Sequence, residues 1–217
     1  MIIAKNITKS YNDLKILKGI DIQINQAEIV SIMGKSGAGK STLLHILGTL
    51  DKADSGTLEI DGQNLGNKSD KELSIFRNQK LGFVFQFHHL LAEFTALENV
   101  IIPALISGTS KKTAEKTAME VLERLEISKR AQHKPSEMSG GEQQRVAIAR
   151  ALINNPAVIF ADEPTGNLDH ESSDAFHKLL KDLNKDLGQT FVIVTHNKDL
   201  ANLSDRVIHI QDGLLLD

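Results

Sequence analysis

The chain has 217 residues, enough for one large domain or two small ones whose core needs no disulfide or metal staple. Its 25 Lys and Arg against 28 Asp and Glu leave a formal charge of −3, which argues against a dedicated nucleic-acid surface; Phe 8, Tyr 1 and Trp 0 offer no stacking platform for bases. The absence of cysteine rules out disulfides, thiolate metal ligands and thiol nucleophiles, and agrees with a reducing compartment.

The opening MIIAKNITKS lacks the apolar stretch of a signal peptide, and no later segment approaches about 18 uninterrupted apolar residues. The expectation is a chain that neither spans nor enters a membrane alone. Up to TLEIDG, short β-type runs alternate with turns: MIIAKNI, GIDIQI, NQAEIVSIM and TLEIDG. Within this region IVSIM runs into GKSGAGKS and STLLHILGTL, which reads as strand, glycine loop and helix. Tyr11 falls in KSYNDLK, a turn-rich segment, where its ring is equally suited to stacking on a base or to packing.

Beyond Asp70, ELSIFRNQ reads as helical and LGFVF as a short buried strand ending at Gln86. TAEKTAMEVLERLEI spaces Ala114, Ala118, Val121, Leu122 and Leu125 by three and four residues, the pattern of a helix solvated on one side. SEMSGGEQQRVAIARALI begins a further helix in a Ser-Gly-Gly turn. AVIFADEP is apolar on both faces until two carboxylates end it, which belongs inside a parallel sheet. ESSDAFHKLLKDLNKDL places Phe176, Leu179, Leu180, Leu183 and Leu187 at helical spacing, TFVIVT leads to His196, and RVIHIQDGLLL closes a hairpin around Asp212 and Gly213. The repetition of strand, polar residue and helix is α/β architecture. Lys40 and Asp162 lie further apart than one strand–helix unit requires, so an inserted helical subdomain is expected over 87–155 within a single domain spanning 1–217.

Gly34, Lys35, Ser36, Gly37, Ala38, Gly39, Lys40 and Ser41 fit the phosphate-binding pattern G-x-x-x-x-G-K-[ST] in its required strand-to-helix context. The glycines let backbone amides converge on phosphates, Lys40 reaches the β and γ groups, and Ser41 can ligate magnesium. Asp162 and Glu163 end a core strand at the carboxyl edge of the sheet, where α/β proteins bind ligands. There Asp162 can hold magnesium through water and Glu163 can accept a proton from the water that attacks a γ-phosphate. His196 reaches the same edge and is open to either a phosphate contact or a buried structural role. The adjacent His88 and His89 diverge and lack a third ligand, so structural or interfacial roles are expected. Thr95 to Ile106, with FQFHHLLAEF before it, is either core or docking surface.

Taken together, GKSGAGKS, Gln86, MSGGEQ (Met138 to Gln143), VIFADE, GNLD (Gly166 to Asp169) and Thr195-His196 resemble, in order and over essentially the whole chain, the ATP-binding subunit of ATP-binding cassette transporters. The resemblance implies an α/β P-loop NTPase core with an N-terminal antiparallel β subdomain and an inserted helical subdomain. It implies a head-to-tail homodimer with ATP and Mg2+ sandwiched between the phosphate loop of one copy, extending to Thr42, and Ser139, Gly140 and Gly141 of the other. By the same resemblance Glu163 is the general base, His196 positions the γ-phosphate and water, Gln86 lies near magnesium and the attacking water, Tyr11 stacks on adenine, and Asp169 crosses the dimer interface. Met138 and Glu142 depart from the commoner LSGGQ signature without touching the ATPase assignment. Long coiled-coil insertions or tandem cassettes, which mark the DNA-repair and ribosome-associated members, are absent from the sequence.

RNQKLGFVFQFHHLLAEFTALENV (Arg77 to Val100), NNPAVIFADEPTGNLD and RVAIARAL are most similar to the branch of lipoprotein-releasing ATPases, shared with macrolide exporters and cell-division ATPases. This similarity implies a peripheral ATPase on the cytoplasmic face of the bacterial inner membrane that drives lipoproteins toward the outer membrane. Two integral membrane permease subunits would dock near residues 86–100, with no nucleic-acid partner and no direct contact with cargo. The alternative is a macrolide-exporter-like or cell-division complex of the same branch.

Overall fold

The computed structural model describes residues 1–216. In chain order the first elements are β1 (Ile2–Tyr11), β2 (Leu14–Ile24), β3 (Ile29–Met33), α1 (Lys40–Leu47), β4 (Ser55–Ile60), β5 (Gln63–Asn64), α2 (Asp70–Lys80) and β6 (Leu81–Phe85). Then follow α3 (Ala96–Ile106), α4 (Lys111–Arg124), α5 (Gly140–Leu152), β7 (Val158–Asp162), α6 (His170–Leu187), β8 (Thr190–Val194), α7 (Lys198–Asn202), β9 (Arg206–Gln211) and β10 (Leu214–Leu216).

Three of the four early β-type runs, MIIAKNI, GIDIQI and TLEIDG, form with the short β5 a four-stranded antiparallel sheet in the order β2-β1-β4-β5, whereas IVSIM, as β3, joins the other sheet. The turn in KSYNDLK is confined to Asn12 and Asp13, and Tyr11 ends β1, paired with Leu14 of β2. The second sheet has the order β10-β9-β3-β8-β7-β6 and is parallel except for the β9–β10 hairpin, whose turn residues Asp212 and Gly213 both have positive φ.

Strands apolar on both faces divide the core in two. Val158 and Phe160 of β7, with Val192 and Val194 of β8, pack toward α1 and the antiparallel sheet. Ile159, Ala161, Phe191 and Ile193 alternate with them and pack toward α5 and α6. The helical spacings hold with three adjustments, one being that Leu179, like Val121, is only half-buried. Ala114, Ala118, Leu122 and Leu125 are buried while Val121 is half-buried. In α6, Phe176, Leu180 and Leu183 are buried, but Leu187, on the final turn, is exposed.

Between β6 and β7, α3 and α4 pack on each other and on α5. The α5 helix also lies directly on β6, so closely that a Cβ on Gly82 would stand 2.8 Å from the Ala151 carbonyl oxygen. Asn99, fully buried in α3, ties the preceding segment: its Oδ1 accepts from Leu91 N, and its Nδ2 donates to the carbonyls of Leu91, Phe94 and Thr95. Among the described residues no helix is long and apolar enough to cross a membrane.

Candidate functional site

The phosphate loop leaves β3 at Met33 and enters α1 at Lys40. A Cβ on Gly34 would come within 2.2 Å of the Ile210 carbonyl oxygen, so only glycine lets the loop start this close to β9. Gly37 and Gly39 take φ of 76° and 102°, the left-handed region glycine enters freely. Six helices carry a side-chain N-cap, from Ser69, Thr95, Ser110, Ser139, Asp169 and Asn197, but Gly39 gives α1 none. The first amides of α1 therefore remain open to an anion. Lys40 Nζ crosses the loop to the Lys35 carbonyl at 3.0 Å.

At the carboxyl edge of the parallel strands, Ser41 Oγ donates to Asp162 Oδ1 at 3.3 Å. Burial pushes the Asp162 carboxyl up from the ordinary aspartate range, only partly opposed by the Ser41 bond. A half-buried carboxylate beside one hydroxyl suits a hard cation that takes its other ligands from water and phosphate oxygens, as Mg2+ does. Among the described residues no group of three His, Cys, Asp or Glu side chains forms a closed metal cage.

Glu163 follows directly, with φ 48° and its amide donating to Val194 O at 2.9 Å. Its Oε2 lies 2.8 Å from His196 Nδ1 and also accepts the His196 amide at 3.3 Å. The two residues predicted on separate strands thus meet, and they border a hollow of about 230 Å³ that continues past Thr165, Ser173 and His177. Gln86 Nε2 donates to Asn167 Oδ1 at 3.0 Å, and Asn167 Nδ2 returns a bond to the Gln86 carbonyl at 3.2 Å.

Ser139, Gly140 and Gly141 are not brought to the phosphate loop. The Ser139 side chain accepts from Glu142 N, and the Glu142 carboxylate accepts from Ser139 N, capping α5; the bond from Arg130, more than those from Ser139, holds Glu142 below the usual glutamate range. Ser139 and Gly141 line a second hollow of about 230 Å³ with Leu168 and Ser172, containing none of residues 34–41. Asp169 lies beside it as the N-cap of α6, its carboxyl held low chiefly by the Ser172 amide and then by the Ser172 hydroxyl.

Tyr11, about half exposed, hydrogen-bonds through its hydroxyl to Asp51 Oδ2, while Lys9 Nζ stands over its ring at 5.1 Å from the centroid. The bond to Asp51, then burial, raises the phenol above its ordinary range. The backbone carbonyls of His88 and His89 both accept from Arg150 at 2.7 Å, and the His89 ring packs edge-on against Phe85. Sequence reading missed Asn167, Asp51 and Lys9. Only Asn167 had a local signal, its place within GNLD.

The family model described as "ABC transporter" matches residues 17–166. The chain is 59% identical over 215 residues to "Lipoprotein-releasing system ATP-binding protein LolD" of Bacteroides thetaiotaomicron, covering 99% of each. It is 58% identical over 212 residues to the protein of the same name from Porphyromonas gingivalis, covering 98% of this chain and 97% of that one. Among solved structures, the dimeric bacterial ABC transporter cassette MJ0796 superposes with a TM-score of 0.91 at 44% identity, over 100% of this chain and 97% of that one. The chain belongs to the ABC transporter family, as one of its ATP-hydrolysing subunits.

Proposed function

We propose that two copies of this chain, arranged head to tail, hydrolyse ATP at the cytoplasmic face of a bacterial inner membrane and drive the release of lipoproteins toward the outer membrane. The observation that carries the hydrolytic part is the convergence of Ser41, Asp162, Glu163 and His196 at one sheet edge. The cargo reading rests on the relatives named as lipoprotein-releasing, which match this chain from end to end.

In this reading the amides of residues 34–41 and Lys40 bind the phosphates, Thr42 extends the contact, and Ser41 with Asp162 holds magnesium. Held by Ser41 and Asp162, the ion would supply positive charge against the developing negative charge of phosphoryl transfer. Glu163 takes the proton of the attacking water. His196, whose Nδ1 already meets Glu163, has Nε2 left to turn toward the γ-phosphate. Ser139, Gly140 and Gly141 complete the partner copy's site, Asp169 lies across the interface, and Tyr11 stacks on adenine.

Residues 87–155 act as the subdomain that reports nucleotide state. Two integral membrane permeases dock near residues 86–100, where Phe87, Leu91 and Phe94 are exposed beside Gln86. The adjoining groove of about 450 Å³ is lined by Phe85, His89, Pro103 and Ile106. Cargo and nucleic acid do not touch this chain.

Affinity purification of the tagged chain from detergent-solubilised membranes of its own cells, followed by mass spectrometry, tests the assignment. Recovery of two permeases with a trapped lipoprotein is expected. Recovery of a single exporter-type or division-type membrane protein would preserve the ATPase chemistry and replace the cargo.

A further inference from the structure

The only tyrosine of the chain is fastened in a way that the family motifs do not describe. Asp51, in the loop between α1 and β4, reaches two residues of β1 at once: Oδ2 accepts the Tyr11 hydroxyl and Oδ1 accepts Lys9 Nζ at 2.8 Å. Lys9 is itself fixed, nine-tenths buried and donating to the Lys52 carbonyl at 2.6 Å, with Asp54 Oδ1 at 4.0 Å. Its ammonium stands over the Tyr11 ring. One ring face is thereby occupied by a cation, the hydroxyl end is tethered, and the residue as a whole is still 47% exposed.

We propose that Asp51 and Lys9 are positioning residues that hold Tyr11 as a one-faced platform for the nucleotide base. This rests on the reading of Tyr11 as the adenine-stacking residue. The physical case has three parts. A free tyrosine on a strand end samples several χ1 and χ2 rotamers, and fixing one before binding removes that entropy from the cost of association. A cation on one face leaves a single face for a planar base. Asp51 also follows the α1 helix whose amino end forms the phosphate loop, with its own amide bonded to the His45 carbonyl at 3.2 Å. The platform is thus registered against the element that grips the phosphates, so base and triphosphate are received at a fixed separation.

Because Tyr 1 and Trp 0 make Tyr11 the only strong intrinsic fluorophore, its emission reports this ring alone. The experiment is a titration of the purified full-length chain and its Asp51→Asn variant with Mg-ATP and, separately, with Mg-tripolyphosphate, followed by calorimetry and by tyrosine emission. In the parent, ATP should change Tyr11 emission saturably while tripolyphosphate does not. In Asp51→Asn, unliganded emission should brighten as the quenching carboxylate is lost, and the phenol should ionise at lower pH. ATP affinity should fall about three- to tenfold, part of the loss expected for removing a base–aromatic stack altogether. Tripolyphosphate affinity should not change.

If calorimetry detects ATP binding and parent emission does not respond, the stacking reading fails and the platform fails with it. If the parent responds and Asp51→Asn binds ATP as tightly as the parent, stacking stands and the positioning role is refuted. Equal loss of ATP and tripolyphosphate would mark Asp51 as a structural residue of the loop and overturn the proposal. Should Asp51→Asn not fold, Tyr11→Phe removes the tether and keeps the ring; undiminished ATP affinity there is equally decisive against it.

Discussion

Replacing Glu163 with Gln separates chemistry from binding, because the side chain keeps its size and loses only its charge and basicity. Glu163 is four-fifths buried against a His196 imidazole that is 73% exposed, so solvent screens their attraction and the pair contributes no more than about 1 kcal/mol. The glutamine oxygen can still accept the His196 amide, and the Glu163 amide bond to Val194 is a backbone feature untouched by the change. The melting temperature should therefore move by no more than about 2–4 °C, the scale of 1 kcal/mol in a chain of this size. The rate should fall about 10²–10⁴-fold, the usual contribution of a positioned general base, equivalent to about 2.7–5.4 kcal/mol in the barrier. Single-turnover phosphate release under saturating Mg-ATP measures the rate, calorimetry the affinity, and light scattering whether ATP holds the variant as a dimer. Turnover within about tenfold of the parent would refute the base assignment. So would a parallel loss of ATP affinity, since it would show that Glu163 serves binding.

With Lys40 in its proposed phosphate-binding role, Lys40→Ala should weaken Mg-ATP binding by about 10- to 100-fold in a calorimetric titration; unchanged affinity would contradict that role. Gly166→Ala would set a Cβ 2.7 Å from Gln86 Nε2 and 2.9 Å from its Cδ, which only a swing of the glutamine relieves. The variant should fold normally and lose ATPase activity, measured with the membrane partners, on the order of tenfold through misplacement of Gln86; parent-like turnover would uncouple that side chain from hydrolysis. Asp162→Asn should stabilise the nucleotide-free chain near neutral pH. An acid raised in the fold above its unfolded pKa costs stability when ionised; this cost is full above the folded value and vanishes below the unfolded one, about 3.9. Melting curves of parent and variant should therefore converge on acidification, and a gap that widens instead would reverse the sign of the burial effect.

The strand–loop–helix at residues 29–47 and the paired carboxylates ending β7 were legible because each is a local pattern, set by periodicity and by glycine. Which strands lie side by side was not. Periodicity shows that β7 and β8 are apolar on both faces, yet nothing local says that β3, early in the chain, separates β8 from β9 near its end. The same limit explains the missed side chains. Asp51 meets Tyr11 forty residues away, and Asn167 meets Gln86 across eighty-one, distances at which only the folded sheet dictates contact. The polarity of KSYNDLK marks its turn at Asn12 and Asp13, but not that pairing with β2 extends β1 through Tyr11. His196 could not be assigned from its strand alone; its approach to Glu163 gives it a partner.

The left-handed backbone at Glu163 carries a further implication. A glutamate at φ 48° occupies a region that costs a side-chain-bearing residue about 1 kcal/mol or more, whereas glycine enters it freely and asparagine with less penalty. By conformational preference alone, position 163 is filled by the wrong amino acid. Selection for heat resistance and selection for turnover therefore pull it in opposite directions. A library screened only for survival at high temperature should accumulate Glu163→Gly and Glu163→Asn, yielding sturdier cassettes that bind ATP and no longer consume it.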